Sequence, residues 1–467
     1  MAYRRLHVEA IDFAALRREL ELPEGFPPAA QAQAEAAAVE VKLPGVDRTE
    51  LPFVTIDPPG SRDLDQAVCL FRTDGGYRVH YAIADVAAYV APDSPLEAET
   101  WRRGQTVYLP DSKVPLHPAV LSEGAASLLP GVDRAAVVWT IDVNEAGDTT
   151  AVHLERARVR SRAKLAYEGV QADVDAGRLT EAIALLPELG RLLIARGLER
   201  GAINLPMPDQ EIERHDGSWR LTLRAPLPAE EWNAQISLLT GRAAAGIMLA
   251  GKIGLLRTMP PPDPEAVARL RVAAGGLGVN WPDGMTVGQV LAALDPADPR
   301  AAAFVDEAAE LLRGAGYTAF AGELPADPRH SAVADTYAHV TAPLRRLADR
   351  YVTEVCLALY EGREVPLWAA AALPKLPAVM SGTDRVASAA ERGAVDLVEA
   401  TVLAGRIGET FPAVVLDTNH GKPGGTVALD EPAVRARCDG QLTAGDRVTV
   451  RLTTADPAKR LVRFTLA

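Results

Sequence analysis

A chain of 467 residues that is 48% hydrophobic can bury a sizeable core in two or three domains, which excludes a disordered or fibrous protein. Its net charge of −13 and pI near 5.2 argue against a generally basic surface, so phosphates would gather only in a local basic cleft. Cys69, Cys356 and Cys438 lie far apart with no metal-ligand spacing, and each reads as a packed thiol in a reducing compartment.

The N-terminal "MAYRRLHVEAIDF" has no apolar signal-peptide core, and the longest helical apolar run, "AAAGIMLAG" at 243–251, is too short to span a bilayer. A cytoplasmic protein with no membrane attachment is expected. Residues 1–45 read as a small helical module, of which a helix-turn-helix is one form, with helices at "DFAALRREL" and "AAQAQAEAAAVEV" around a "PEGFPP" break. From residue 51 the texture changes to strands: "LPFVTID", "DQAVCLFRT" and, after the turn "DGG", "GYRVHYAIADVAAYV". A helix is expected over 96–104, and strands resume with "AAVVWTIDV" and "VHLERARVRSRAKL".

The last of these strands places Arg156, Arg158, Arg160, Arg162 and Lys164 on every second residue. Period two puts all five cations on one face. That stripe is either a track for a phosphate backbone or a solvated sheet face balanced by acidic neighbours. Helical periodicity then dominates over 166–199, 229–256, 264–276 and 300–315, with further helices from Pro343 and over 383–400. After 405, four or five short strands in about sixty residues predict a small barrel of the OB type. The fold class expected is α+β: a catalytic domain over 46–402 with a mixed sheet and packed helices, and an all-β barrel over 403–467.

Two stretches carry the chemistry. "TIDPPGSRDLDQAV" puts Asp57, Asp63 and Asp65 within nine positions, followed by Gln66. Carboxylates that face one another repel unless a cation neutralises them or each turns to water. With no histidine or cysteine nearby, these hard oxygens suit Mg²⁺ or Mn²⁺, and an exposed Asp-rich turn is the bland alternative. "YAHVTAPLRRLADRYV" places Arg345 and Arg346 just after Pro343, where a helix start and its free N–H groups would form an anion site. A surface helix with internally paired arginines is the other reading.

Nine stretches in order, from "TIDPPGSRDLDQAV" through "YAIADVAAYV", "TVYLP", "LSEGAASLLPGVDRAA", "RGAINLP", "EEWNAQI", "LLRTMPPPD" and "YAHVTAPLRRLADRYV" to "SGTDRVASAAERGAVD", resemble the ribonuclease II family and its RNB catalytic domain. The resemblance covers residues 48–400. It implies a Mg²⁺- or Mn²⁺-dependent 3′→5′ exoribonuclease that releases nucleoside 5′-monophosphates from single-stranded RNA, with a C-terminal OB domain that binds RNA. No obligate protein partner is expected, and a monomer suffices. By the same resemblance Asp57, Asp63, Asp65 and Gln66 are metal ligands, with Asp63, Asp65 and Arg345 catalytic. Asp65 positions the attacking water, and Arg345 neutralises the scissile phosphate. Arg346 grips a neighbouring phosphate, Tyr108 stacks on a base, Tyr167 and Glu231 sense the ribose, and Glu391 matches a family acid. The stripe of Arg158, Arg160 and Arg162 completes the expected RNA contacts.

The departures are as informative. Gln66 stands where a fourth aspartate is usual, which removes one charge and predicts weaker metal binding or a preference for Mn²⁺. Asn204 and Leu205 replace an aromatic and an acid, and Met259 replaces a histidine. About 45 residues stand where the familiar enzymes carry two cold-shock domains, so a more open entrance and tolerance of structured RNA are expected. Two rival readings remain: an RNA-binding protein of this fold with a weakened centre, and a metal-dependent nuclease for single-stranded DNA.

Overall fold

The computed structural model describes residues 11–205, 208–215, 218–295, 298–418, 423–429 and 431–467. The alternating segments from residue 54 onward form β1 (Val54–Ile56), β2 (Gln66–Thr73) and β3 (Gly76–Ala84). A small separate hairpin follows, β4 (Val107–Leu109) with β5 (Ser112–Val114), and then β6 (Asp133–Asn144), β7 (Thr149–Arg160) and β8 (Ala163–Leu165). Six of these make one mixed sheet in the order β7-β6-β3-β2-β1-β8, antiparallel except where β1 meets β8.

Chain connectivity forces this sheet to curl. β7 and β8 lie at opposite edges, yet only Ser161 and Arg162 separate them, a reach of about 10 Å. The segment before β1 fills the remaining gap, with Arg48 N–H donating to the Arg158 carbonyl at 2.8 Å and Arg162 N–H to the Phe53 carbonyl at 2.6 Å. Trp139 and Tyr81 are fully buried in the resulting core, beneath the helices Pro228–Gly251 and Leu347–Tyr360.

One glycine sets how closely the chemistry-bearing segment approaches. The Ala338 N–H donates to the Gly241 carbonyl at 3.1 Å, and a Cβ at Gly241 would come within 2.2 Å of the Tyr337 ring. Any side chain there would push residues 337–346 outward. That segment is not yet helix: the helix expected from Pro343 begins at Leu347. The Ala342 and Leu344 N–H groups are turned to the carboxylates of Asp349 and Asp65, each at 2.7 Å, so they are not free to bind an anion.

The helical middle differs in detail from its periodicity. Residues 166–199 split into Tyr167–Asp175 and Leu186–Arg200, and residues past Gly251 leave the helix as the strand Ile253–Thr258, paired with Gly316–Ala321. The hairpin of Asp209–His215 with Ser218–Arg224 was not expected from the sequence. The helix over 383–400 is longer, Leu376–Leu403.

The two N-terminal helices do not pair as a helix-turn-helix. Ala14–Glu19 buries Leu16 with the barrel-side core, where Phe13 meets Trp219 edge-on at 5.8 Å. Pro28–Glu40 buries Ala30 and Ala34 in the sheet's own core. Each helix is therefore committed to a different cluster. Residues 410–466 close a five-stranded barrel in which Thr410–Thr418 pairs with both Gly425–Leu429 and Arg447–Asp456, the layout of an OB fold. Among the described residues, no helix is long and apolar enough to cross a membrane, and the three cysteines are buried without disulfides.

Candidate active site

Asp57 directly follows β1, anchored by its N–H on the Leu165 carbonyl of β8 at 3.1 Å. The prolines and Gly60 that follow turn the chain, and Lys164 grips that turn through the Pro59 and Ser61 carbonyls at 2.6 and 2.5 Å. Leu64 is fully buried and donates its N–H to Ser127 Oγ at 3.0 Å, which leaves Asp63 and Asp65 pointing the other way. The turn is thus held from both sides before it enters β2.

Each carboxylate has a distinct environment. Asp57 Oδ2 is buried without a hydrogen-bond partner, and burial pushes the group up to about 6 against the pull of Arg345. Asp65 is 3% exposed and accepts the Leu344 N–H, with Arg345 Nε 3.5 Å from its other oxygen. Burial dominates there too and raises it to about 8. Asp63 behaves oppositely. Burial works to raise its pKa, but the Lys113 ammonium at 3.0 Å and the Tyr108 hydroxyl at 3.2 Å hold it below the usual carboxylate value.

Lys113 is the residue that sequence reasoning missed. It lies directly across the β4–β5 hairpin from Tyr108, so both side chains project to the same side, and it also pairs with Glu123 at 2.9 Å. The signal was present in "VYLPDSKV", which reads as a tight hairpin.

The four expected metal ligands differ in what already engages them. Gln66 donates its Nε2–H to the Thr341 carbonyl, which leaves its Oε1 as the ligand atom, and Asp63 is engaged by Lys113. Among the described residues, no three His, Cys, Asp or Glu side chains are placed to hold an ion together. Asp57 and Asp65 do fit one: both offer hard oxygens, Asp57 has a buried, unpartnered Oδ2, and burial disfavours the charge on each until a cation arrives.

The arginines separate by role. Arg345 has a side chain 47% exposed and faces the aspartates. Arg346 turns inward to the fully buried Asp349 at 2.8 Å, so its charge holds the loop. The arginines of β7 and Arg162 just beyond it have partners close by. Arg158 pairs with Asp47, Arg160 with Asp133 at 2.6 Å, and Arg162 donates to the Thr49 carbonyl at 2.6 Å. Arg158 and Arg160 thus sit on a face balanced by acids, whereas the carbonyl on Arg162 leaves its charge uncompensated among the described residues.

The remaining residues fall in two places. Tyr108, 50% exposed, presents its ring beside Asp63. Tyr167 opens its helix, accepts from Asn233 Nδ2 at 3.3 Å and feels the charge of Asp57. Glu230 is occupied by Arg224 and the cap of its helix, whereas Glu231 has no such partner among the described residues, and burial and Glu230 raise its pKa. Glu231 shares a cavity of about 400 Å³ with Asn204 and Leu205. Glu391 is exposed on the helix Leu376–Leu403, and Met259 is buried beside His330. Tyr108→Ala is expected to weaken RNA binding by about 1–3 kcal/mol, the value of one base stack, while Tyr108→Phe binds as wild type. Equal losses in both variants, measured by filter binding, would assign the effect to the hydroxyl.

Two family models match the chain: the RNB domain over residues 46–361 and the RNase II-type exonuclease C-terminal S1 domain over 409–467. Ribonuclease R of Escherichia coli (strain K12) is 31% identical over 370 residues, covering 73% of this chain and 43% of the relative, so the match spans less than half of that protein. Ribonuclease R of Aquifex aeolicus (strain VF5) is 27% identical over 504 residues, 96% of this chain and 69% of the relative. The structure of apo RNase R from Mycoplasma genitalium superposes with a TM-score of 0.84 at 22% identity, over 97% of this chain and 77% of that one. The same protein has been solved with ribose-methylated single-stranded RNA and with double-stranded RNA. With an RNB domain over most of its length and an S1 barrel after it, the chain belongs to the ribonuclease R/II family.

Proposed function

We propose that this chain hydrolyses single-stranded RNA from its 3′ end to nucleoside 5′-monophosphates, using Mg²⁺ or Mn²⁺. The observation that carries the reading is that Asp57, with its buried unpartnered Oδ2, and the buried Asp65 both lie within the influence of Arg345, and burial disfavours their charge. A bound ion held there would polarise the scissile phosphate and lower the pKa of its water. The chain's own residues supply the rest. Arg345, anchored through its carbonyl by the Thr106 N–H at 2.9 Å, is free to neutralise charge developing on the phosphate. Asp65, fixed by the Leu344 N–H, orients the attacking water. Tyr108 offers a stacking face that accepts any base. Tyr167 and Glu231 are candidates to read a 2′-hydroxyl, a group that both donates and accepts.

The rival reading of a binding protein with a weakened centre is favoured by one feature, the engagement of Gln66 with Thr341. A denaturing-gel time course on 5′-labelled RNA decides between them. The expected result is 3′ shortening to a short limit product in Mg²⁺ or Mn²⁺, reduced at least about 10²-fold by Asp57→Asn and lost in EDTA. Intact RNA in every lane with retained filter binding would support the binding protein. Equal cutting of a DNA oligomer would assign a general single-strand nuclease. A hairpin with a 3′ overhang tests tolerance of structured RNA on the same gel.

A further inference from the structure

Asp63 is fully engaged before any ion arrives. Lys113 Nζ lies 3.0 Å from Oδ1, and the Tyr108 hydroxyl donates to Oδ2 at 3.2 Å. Lys113 is itself fixed, by Glu123 at 2.9 Å and by its place opposite Tyr108 on the hairpin. Gln66, next to Asp65, commits its amide N–H₂ to the Thr341 carbonyl and carries no charge. Asp57 keeps a buried, unpartnered Oδ2, and Asp65 accepts the Leu344 N–H and has a longer 3.5 Å contact to Arg345, so Asp63 is the one of the three aspartates in an ion pair with an ammonium among the described residues. No trio of side chains among the described residues is arranged to cage an ion.

We propose that Lys113 is a built-in cation that takes up Asp63 in place of a second divalent ion, so that the centre binds one Mg²⁺ or Mn²⁺ on Asp57 and Asp65. The inference rests on the hydrolytic reading of the same site. Two carboxylates suffice for Mg²⁺, which keeps several waters and takes phosphate oxygens from its substrate. Charge balance points the same way. Lys113, Lys164 and Arg345 set against Asp57, Asp63, Asp65 and Glu123 leave the site one charge short of neutral. One divalent ion then overshoots by one, and two would overshoot by three, with like charges crowded in a half-buried space. A lysine also cannot be chelated, so this part of the charge stays when the metal is stripped.

The test counts Mn²⁺ per full-length chain without RNA, by the electron paramagnetic resonance signal of free Mn²⁺ across a titration. Wild type is expected to bind one ion, Lys113→Met to bind two, and Lys113→Arg, which restores the ion pair, to bind one again. Two ions on wild type overturn the inference without reference to any variant, so it stays open to refutation if Lys113→Met fails to fold. A folded Lys113→Met that still binds one ion overturns it as well. The gel assay on the same preparation keeps the two readings apart. RNA shortening by a wild type that holds two ions sinks the inference and spares the proposed function. A wild type that holds one ion and shortens no RNA does the reverse.

Discussion

Asp65→Asn is expected to lower the rate of RNA shortening by at least about 10³-fold and, in chelator at pH 8, to make the protein harder to melt. The rate loss follows from the proposed role of Asp65 toward the water, and the stability effect from its burial: it is 3% exposed, and burial raises it to about 8. The folded protein therefore binds a proton that the unfolded chain, with the group near 3.8, has released. Stability from this group is fully present below about pH 4 and is lost as pH rises through about 8. A tenfold change in proton affinity is worth about 1.4 kcal/mol, which bounds the cost to the metal-free wild type at about 5 kcal/mol; local relaxation brings the expected value to about 2–3 kcal/mol. Asparagine keeps an acceptor for the Leu344 N–H and carries no charge. Scanning calorimetry with EDTA should show the variant melting roughly 2–6 °C above wild type at pH 8, with the gap closing toward pH 5. Added Mg²⁺ should reverse the order, because only wild type gains binding energy from the ion. A variant that melts lower than wild type at pH 8 without metal would mean that the Arg345 contact outweighs the burial.

How much of this was legible beforehand depends on the range of the interaction. The acidic stretch, the arginine stretch and the barrel are local patterns, and the residues around Asp57 and Arg345 do meet across some 280 positions, as the Leu344-to-Asp65 hydrogen bond shows. What stayed hidden were partners chosen by tertiary packing. Period two correctly put Arg158, Arg160 and Arg162 on one face, but nothing local reveals that Asp47 and Asp133 fold back onto it. The proline at 343 suggested a helix start, yet Asp65 and Asp349 claim the nearby N–H groups and delay the helix to Leu347. The N-terminal helices were recognised from composition, but their separate docking sites were not. Lys113 escaped notice because its significance lies entirely in facing Asp63.

Arg345→Ala and Arg346→Ala, adjacent in sequence, are expected to fail in opposite ways. Arg345 has a half-exposed side chain with one long contact, 3.5 Å, to Asp65. Its removal should leave the melting temperature within about 1 °C of wild type, since exposed pairs contribute roughly 0–1 kcal/mol. The rate should fall by about 10²–10³-fold, the size of losing one electrostatic donor to a developing oxyanion. Arg346 is the only cation the structure places on the fully buried Asp349 carboxylate among the described residues. Removing it strands that charge, which costs about 3–5 kcal/mol, and frees the Ala342–Leu344 turn that Asp349 and Asp65 jointly hold. Arg346→Ala should therefore melt several degrees lower. The double variant Arg346→Ala with Asp349→Ala should recover much of that stability, because the stranded charge goes with its partner. Had Arg346 gripped RNA as its neighbour is proposed to do, its loss would weaken binding and leave melting unchanged. Melting curves and single-turnover rates on the two variants separate a phosphate ligand from a structural ion pair one residue away.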